Sequence, residues 1–404
     1  MKKSLIAIAV LGAAAFSAQA ANVTLYGTVD AGVMYKHNQV KVDGVKAGDT
    51  ENSFKMADGL DGANKIGIKG EEDLGNMKVG FKLENQFKIS NGEFKDSSKL
   101  FSREARMYVK SDFGELAAGR FGGLASAAGS YDVFFGNADA FDGGDNDIPY
   151  AFATSSRYDN SIAYQSPVVA GFQGTLMYSF QKEGEQADKM KNNERYVGVG
   201  LTYNYDALNV VGVFEGQIRD KDNKNDANKN GFTYNLGANY DFDVAKVFAG
   251  GQIARNTNLG DIQAGSFFGD FLDKQFPAED QKDNRKAVLK NIKAVQMNGY
   301  AFTLGTQLPI AADKITLGAY YGQYKNASNV EVKHQDKVLA NDVKIDKKDG
   351  KLRIYGISGR YEHQLSKRST IYAGAGVGQS KLTYPEHNVK QNIGQVYMGL
   401  HHNF

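Results

Sequence analysis

The sequence contains no cysteine and no tryptophan, and only 5 of its 404 residues are proline. Without cysteine the chain has no disulfide scaffold, no thiolate metal site and no cysteine nucleophile. Lysine and arginine (48) nearly balance aspartate and glutamate (46), so no electrostatic attraction to nucleic acid is expected. After residue 20 no run of 18 apolar residues occurs, which argues against membrane-spanning helices but not against half-apolar membrane strands.

The first twenty residues have the pattern of a secretory signal peptide. Lys2 and Lys3 precede an apolar stretch from Leu5 to Phe16, and Ala18-Gln19-Ala20 is a small-residue cleavage signal. A short buried helix is the alternative, but it leaves the cleavage signal unexplained. The pattern therefore predicts a signal peptide over residues 1–20 and a single exported domain over residues 21–404.

Apolar and polar residues alternate with a period of two along the rest of the chain. In one segment Phe232, Tyr234 and Leu236 alternate with Thr233 and Asn235. We count sixteen such segments, beginning near residues 23, 65, 77, 103, 114, 157, 172, 195, 209, 232, 246, 297, 314, 351, 370 and 392. Short turns alternate with long polar connectors, of which the largest run from about 121 to 156, 256 to 296 and 326 to 350.

This pattern predicts an all-β protein, a 16-stranded antiparallel transmembrane β-barrel. Every backbone polar group in hydrocarbon needs an internal partner, which a closed barrel supplies, and a water-filled lumen needs polar side chains inside. A soluble sandwich also alternates, but sixteen strands are too many for one. Aromatic residues near strand ends fit membrane interfaces, although ordinary strand propensity explains each equally well.

Six motifs stand out along the chain: Val23 to Gly27, Gly67 to Asn76, Phe113 to Arg120, Arg157 to Pro167, Leu365 to Ser369 and Met398 to Phe404. Together they resemble one known family, the trimeric general porins of Gram-negative bacteria, most closely the neisserial and β-proteobacterial type. The likeness covers essentially the whole exported chain, with His401 and Asn403 standing where basic residues are usual.

The resemblance implies a homotrimer that lets small hydrophilic solutes and ions diffuse across the outer membrane, in contact with its lipid and lipopolysaccharide. It implies that the second long connector, Asn91 to Leu100, reaches a neighbouring barrel, with Glu93 as a candidate polar latch. It also implies that the third long loop folds inward and narrows the pore. The terminal Phe404 would be read by the barrel-assembly machinery.

The sequence carries no motif of a hydrolase, a phosphate loop or a zinc protease, so we expect no enzyme, no cofactor and no metal. Asp220 to Asp226 faintly resembles a calcium loop but lacks the required glycine, and a solvated loop is the better interpretation. Two alternatives stay open: a substrate-selective channel of the same fold, and an adhesin or surface-antigen barrel acting through its external loops.

Strand parity predicts a basic inner wall. Arg157 shares the inward parity of Asp159 and Ser161, whereas Arg120 is placed inside by the resemblance alone. The acids Glu84 and Glu104 lie among the wall residues, and the alternative is that all of these are ordinary solvated charges. Parity places six bases on strands two to four: Lys65, Lys69, Lys78, Lys82, Arg106 and Lys110.

The segment from Phe121 to Ser156 contains five aspartates and neither lysine nor arginine. Phe134, Phe135 and Phe141 are candidate anchors for it. An acidic loop opposite a basic wall would create a field across the narrowest part of the pore, and near-cancellation of the charges predicts weak selectivity with a slight anion preference. The alternative is an external acidic loop. The aspartates are Asp132, Asp139, Asp142, Asp145 and Asp147.

Overall fold

The fold is described from a computed structural model of the chain. It describes residues 22–42, 45–46, 50–220, 229–262, 296–327, 330–332, 343–345, 350–383 and 388–404. The predicted signal peptide and most of the connectors 256–296 and 326–350 lie outside the described residues, as does most of the segment from Asp220 to Asp226. Within the described residues no helix is long and apolar enough to cross a bilayer.

Sixteen antiparallel strands form one barrel wall. We number them β1 to β16, with β2 in two parts. The first eight are β1 (Asn22–Val42), β2a (Glu51–Asp58) with β2b (Lys65–Asp73), β3 (Met77–Gln86), β4 (Glu104–Ser111), β5 (Gly114–Gly122), β6 (Arg157–Gln165), β7 (Phe172–Ser179) and β8 (Arg195–Tyr205). The others are β9 (Leu208–Ile218), β10 (Gly231–Asp241), β11 (Lys246–Asn258), β12 (Gln296–Ile310), β13 (Asp313–Asn326), β14 (Lys351–Ser366), β15 (Ser369–Thr383) and β16 (Asn388–Asn403).

Small elements lie between the strands. A two-residue strand (Val45–Lys46) extends the β1 hairpin, and a small separate hairpin joins Val330–Val332 to Val343–Ile345. One short helix, α1 (Phe135–Ala138), lies in the connector between β5 and β6.

The barrel closes where β1 pairs with β16. Thr28 lies opposite Asn403, and the pairing continues along the strands to Val42 opposite Val389. Backbone hydrogen bonds of 3.1 Å in both directions between Gly27 and Phe404 extend this seam to the end of the chain. The structure thus confirms the predicted sixteen-stranded closed barrel, with Asn22 and Phe404 both on the short-turn side.

The wall is apolar outside and polar inside. On β10, Leu236 is 67% exposed on the outer face, whereas its neighbour Asn235 is 5% exposed on the inner face. On β12, Leu304 and Thr303 show the same contrast. An outer face of exposed apolar side chains is stable only against hydrocarbon, so the period-two alternation follows from a membrane outside and water inside.

Outward aromatic side chains line the short-turn end of the wall. They sit within a few residues of a turn, where amphipathic rings fit the boundary between hydrocarbon and water. Among the described residues this group includes the exposed Tyr164, Tyr205, Tyr240, Tyr361 and Phe404.

Two irregularities depart from the strict alternation that the sequence suggested. The second strand begins with β2a, which alternation missed, and residues 59–64 interrupt it before β2b. Between β5 and β6 the register shifts from Gly119 opposite Ser161 to Phe121 opposite Tyr158. Because this bulge breaks the alternation, parity counted from Ser161 does not by itself determine which face Arg157 occupies.

Candidate functional site: the lumen and its inward loop

The connector between β5 and β6, residues 123–156, lies inside the barrel, and we call it loop L3. The side-chain amide of Gln252 on β11 donates to the carbonyl of Ala153 and accepts from its N–H, both at 2.8 Å. On β13, the hydroxyl of Tyr324 donates to the carbonyl of Ala151 at 2.6 Å. Both partners are buried residues of the inner wall, so L3 runs along the inner face of the wall.

Glycines on the inner face of the wall make room for L3. A Cβ at Gly237 would lie 2.3 Å from the Cβ of Ala138, and one at Gly376 would lie 2.7 Å from a side-chain carbon of Ile148. A methyl group at either position would push the loop away from the wall. The small residues that the sequence shows on these strands therefore serve close packing of L3.

L3 carries its own aromatic core. Phe134 and Phe135 are fully buried and their ring centres are 5.0 Å apart. Phe135 also contacts Phe152 at 5.8 Å, while Tyr150 stacks on Phe152 at 5.2 Å. Aromatic contacts across the loop fold its outgoing and returning limbs against each other, so L3 is a packed element.

Three of the five loop aspartates are engaged in holding the loop. Asp139 accepts hydrogen bonds from the backbone N–H groups of Gly143 at 2.9 Å and Gly144 at 2.8 Å. Asp145 accepts a hydrogen bond from the hydroxyl of Tyr397 on β16 at 2.6 Å, and Asp132 accepts one from a backbone N–H of L3. These carboxylates satisfy polar groups that the inward loop would otherwise leave unpaired.

The other two loop aspartates, Asp142 and Asp147, have exposed side chains. Asp147 forms a salt bridge of 2.9 Å with Lys36 on β1. The structure therefore divides the predicted acidic set into three structural carboxylates and two that face the water of the lumen.

Burial raises the pKa values of the L3 carboxyls. Burial and the nearby charge of Asp142 raise the pKa of Asp132 to about 7. Burial also raises the pKa values of Asp139 and Asp145 above the ordinary range. Asp142 touches the water of the lumen, but the protein packed around it inside the barrel and the nearby charge of Asp139 raise its pKa as well. L3 therefore carries less than its full negative charge near neutral pH.

The basic wall is a network of ion pairs rather than a row of free bases. Glu84 pairs with Arg103 at 2.6 Å, and Glu104 pairs with Lys82 at 2.8 Å and with Arg106 at 2.6 Å. Both glutamates are buried. We call these five residues the wall cluster. Its acids neutralise much of the positive charge that parity placed on this wall.

The start of L3 is bonded to the wall cluster. The hydroxyl of Ser130 donates to Glu104 at 2.7 Å, and Arg106 donates to the hydroxyl of Tyr131 at 2.9 Å. Tyr131 in turn donates to Glu115 on β5 at 2.6 Å. The outgoing limb of L3 therefore touches the basic wall, and the loop then follows the opposite wall from β8 to β16.

Among the remaining predicted wall bases, Lys69 and Lys110 are exposed and Lys65 is half-buried. No salt bridge involves these three within the described residues. The Nζ of Lys69 lies 5.4 Å from the ring centre of Tyr26, and Lys78, near the short-turn end, pairs with Glu71 at 2.9 Å. Lys65 and Lys69 are thus the cluster's neighbours whose charge is least neutralised.

Arg120 and Arg157 lie at the bulge between β5 and β6. Arg120 forms a salt bridge with Asp159, and its Nε donates to the carbonyl of Ser102 at 3.0 Å. Arg157 is partly buried, and its Nε has no hydrogen-bond partner within the described residues. These two residues sit where the second long connector returns to the barrel, beside the cluster rather than within it.

Sequence reasoning missed several charged residues of the lumen. Arg103 stands at the start of the predicted fourth strand, where parity with Glu104 and Arg106 assigns it to the outer face, but in the structure it precedes β4 and pairs with Glu84. Lys36 lies on a correctly predicted strand and could have been found by the same parity. Arg360, on β14, pairs with Asp61 at 2.9 Å, a contact that the sequence gives no means to predict because it depends on residues 59–64 folding inward.

The open part of the lumen is therefore bounded by L3 on one side and by β1 to β5 on the other. Charged groups of both signs face this space, and they are fixed either on strands or on a packed loop. Such an arrangement can discriminate between dissolved ions by size and charge.

Comparison with known proteins gives one consistent result. A family model described as Gram-negative porin matches residues 7–381. An outer membrane porin protein of Bordetella pertussis is 33% identical over 268 residues, which cover 61% of this chain and 68% of the relative. Outer membrane porin protein 32 of Delftia acidovorans is 30% identical over 268 residues, with the same coverage of both chains.

A solved structure, an anion-selective porin from Comamonas acidovorans, superposes with a TM-score of 0.57. The match covers 95% of this chain and 100% of the other, at 20% sequence identity. At that identity the superposition shows a shared fold.

Proposed function

The chain belongs to the Gram-negative porin family and is a passive diffusion channel of the outer membrane, and we propose that L3 and the wall cluster form its constriction. The observation that carries this proposal is the hydrogen bonding of L3 to the inner wall, through Gln252 and Tyr324 on one side and the wall cluster on the other. A loop held at so many points keeps its position while solutes pass.

We infer a slight preference for anions. Lys65 and Lys69 carry poorly neutralised charge on rigid strands, whereas only Asp142 and Asp147 of the five loop aspartates are exposed. Lys36 further reduces the charge of Asp147. The Comamonas porin that shares this fold is anion-selective, which agrees with this inference.

Planar-bilayer recording of the purified protein tests the proposal. We expect stable ohmic steps and a small zero-current potential of anionic sign in a salt gradient. A barrel that acts mainly as an adhesin or surface antigen would give no steps. A substrate-selective channel would show current that one solute blocks saturably, and a general channel would not.

The pH dependence of selectivity follows from Asp132. With a pKa of about 7 its carboxyl is mostly ionised at pH 8 and mostly neutral at pH 6. Losing this negative charge from the lumen is expected to move the zero-current potential toward anions as the pH falls from 8 to 6. The raised pKa of Asp132 also makes L3 packing more stable in acid, because the folded protein holds this proton more tightly than the unfolded chain, in which the pKa is about 3.9. This stabilisation is complete below about pH 3.9 and is lost as the pH rises through about 7.

The control for this measurement is Asp132→Asn, which should lose the part of the shift that is due to Asp132. All other titratable groups are the same in both proteins, so the difference between them isolates the loop carboxyl. Equal shifts in the two proteins would contradict the assignment.

We propose that the channel is a homotrimer whose contacts include the second long connector. Glu93 is bonded to Lys88 at 3.1 Å and to the side chain of Asn91 at 2.9 Å within its own loop, and its side chain is largely exposed. It is therefore positioned on a folded loop that could reach a neighbour. A trimer-sized species on unheated gels would support this state.

Export and assembly complete the proposal. We infer that residues 1–20 are removed as a signal peptide, that the barrel-assembly machinery inserts the chain, and that lipid and lipopolysaccharide surround the outer face. We assign the chain transport without catalysis, because the family to which it belongs is one of porins. No cofactor is part of the proposal.

A further inference from the structure

Residues 59–64, between β2a and β2b, form a turn that leaves the barrel wall, and we call it the inner turn. On the neighbouring strand, Ala31 pairs with Asp58 and Thr28 pairs with Lys65. The six residues of the inner turn thus replace only two positions of a continuous strand, so the extra length must bulge out of the sheet.

The inner turn bulges into the lumen. Leu60 is 7% exposed and belongs to a buried cluster with Met34, Tyr372 and Tyr397, on β1, β15 and β16. The hydroxyls of these two tyrosines bond to Asp30 and to Asp145 of L3, which places their side chains on the inner face. The turn therefore crosses the inner surface of β1, β16 and β15.

Asp30 anchors the backbone of the inner turn. Its carboxylate accepts the N–H groups of Asp61 at 2.8 Å and Gly62 at 2.7 Å, and also the hydroxyl of Tyr372. The N–H of Asp30 donates to the side chain of Asn64 at 2.5 Å. Asp30 is completely buried, so these bonds fix the turn in place.

Asp61 links the inner turn to strands β14 and β16. One oxygen contacts Arg360 on β14 at 2.9 Å, and the other contacts the Nδ1 of His401 on β16 at 2.9 Å. Asp30, Asp61 and His401 lie close enough to hold a metal ion. However, the oxygens of both carboxylates already face donors, so the cluster is better explained as an anchor.

Arg360 also connects the inner turn to L3. Its guanidinium lies 5.2 Å from the ring centre of Phe141, a buried residue of L3. On β16, L3 is bonded at Gln395 and Tyr397, whereas the inner turn is bonded at His401, nearer the short-turn end. The inner turn therefore lies on the periplasmic side of L3, in contact with the same arginine.

We propose that the inner turn is a second narrowing of the channel, periplasmic to L3 and coupled to it through Arg360. A solute that has passed L3 then passes the inner turn, where the Asp61–Arg360 pair leaves 15% and 11% of its two side chains exposed as a further contact for polar or charged groups. This inference rests on the proposed conducting pore. It makes the inner turn, which parity on strands does not reveal, a specificity-determining element together with Arg360.

The absence of cysteine permits a direct test, because a single introduced thiol is the only one in the chain. Ala63→Cys places it on a half-exposed residue of the inner turn, and Lys367→Cys places it on an exposed periplasmic turn as the control. A charged thiol reagent added from the periplasmic side is expected to reduce the single-channel current of Ala63→Cys stepwise. The labelled Lys367→Cys should keep its current.

A second variant keeps the test decisive if the thiol does not react. Replacing residues 59–64 with two residues, Thr-Ser, restores a continuous strand, and the single-channel conductance should exceed that of the wild type. Unchanged conductance in this variant, or labelled Ala63→Cys with unchanged current, overturns the inference. If the wild type itself gives no channels, the proposed function fails instead.

Discussion

Replacing Lys65 and Lys69 together with glutamine is expected to move the zero-current potential toward cation preference. These lysines carry the least neutralised charge beside the wall cluster, and glutamine keeps their length. Coulomb's law gives an interaction energy of about 0.4 kcal/mol between a fixed unit charge and a monovalent ion about 10 Å away in water. This energy corresponds to a factor of about 2 in relative permeability for each charge removed. The change should shrink in strong salt, since the Debye length is about 10 Å at 0.1 M.

The control is Lys367→Gln, which removes one lysine charge from the exposed short turn between β14 and β15 and should leave the potential unchanged. Asp142→Asn with Asp147→Asn should shift the potential in the opposite direction, because these are the two exposed loop aspartates. If the lysine and aspartate pairs both leave the potential where it was, neither set lines the constriction.

The ion-paired bases of the wall should respond differently. Arg106→Ser would leave Glu104 and Glu115 without their shared partner and release Tyr131 of L3. Removing one member of a buried pair costs about 3–5 kcal/mol. The variant is therefore expected to loosen the loop as well as to change the charge, and it is a poor probe of selectivity alone.

Deleting Phe404 is expected to lower the amount of protein in the outer membrane by roughly tenfold or more. A destabilisation of about 1–2 kcal/mol alone would lower it only several-fold. The deletion removes two backbone hydrogen bonds to Gly27 at the seam, worth about 1 kcal/mol each. The ring is 42% exposed and packs over Gly27, and losing this contact adds to the destabilisation. We attribute the excess to lost recognition during assembly.

Two measurements separate recognition from stability. Leu400→Ala truncates another exposed apolar side chain of β16 without altering the chain end, and its outer-membrane level should stay near that of the wild type. Denatured protein without Phe404 should refold in detergent as efficiently as the full chain. Equal failure in refolding would make Phe404 a structural residue and contradict the proposed role in assembly.

The sequence by itself determined the barrel. Alternation requires only that a strand have hydrocarbon on one side and water on the other. The polarity of neighbouring residues such as Leu236 and Asn235 therefore shows which face of the sheet each occupies. The strand count and the alternation of short turns with long connectors then fixed the topology. The same reasoning found the bases Lys65, Lys69, Lys82 and Arg106, because each lies within a regular strand.

Only the tertiary structure decided which charges act as free charges. Asp139 and Asp142 are close neighbours in one acidic loop, yet the first is buried in hydrogen bonds of its own loop and the second is exposed. Such differences depend on how the chain folds around each carboxylate. The same holds for the neutralisation of Arg106 by Glu104 on its own strand and Glu115 on the next, and for the inward path of residues 59–64. Local pattern assigns a residue to a face, but the field of the lumen depends on which opposite charges folding brings within about 3 Å.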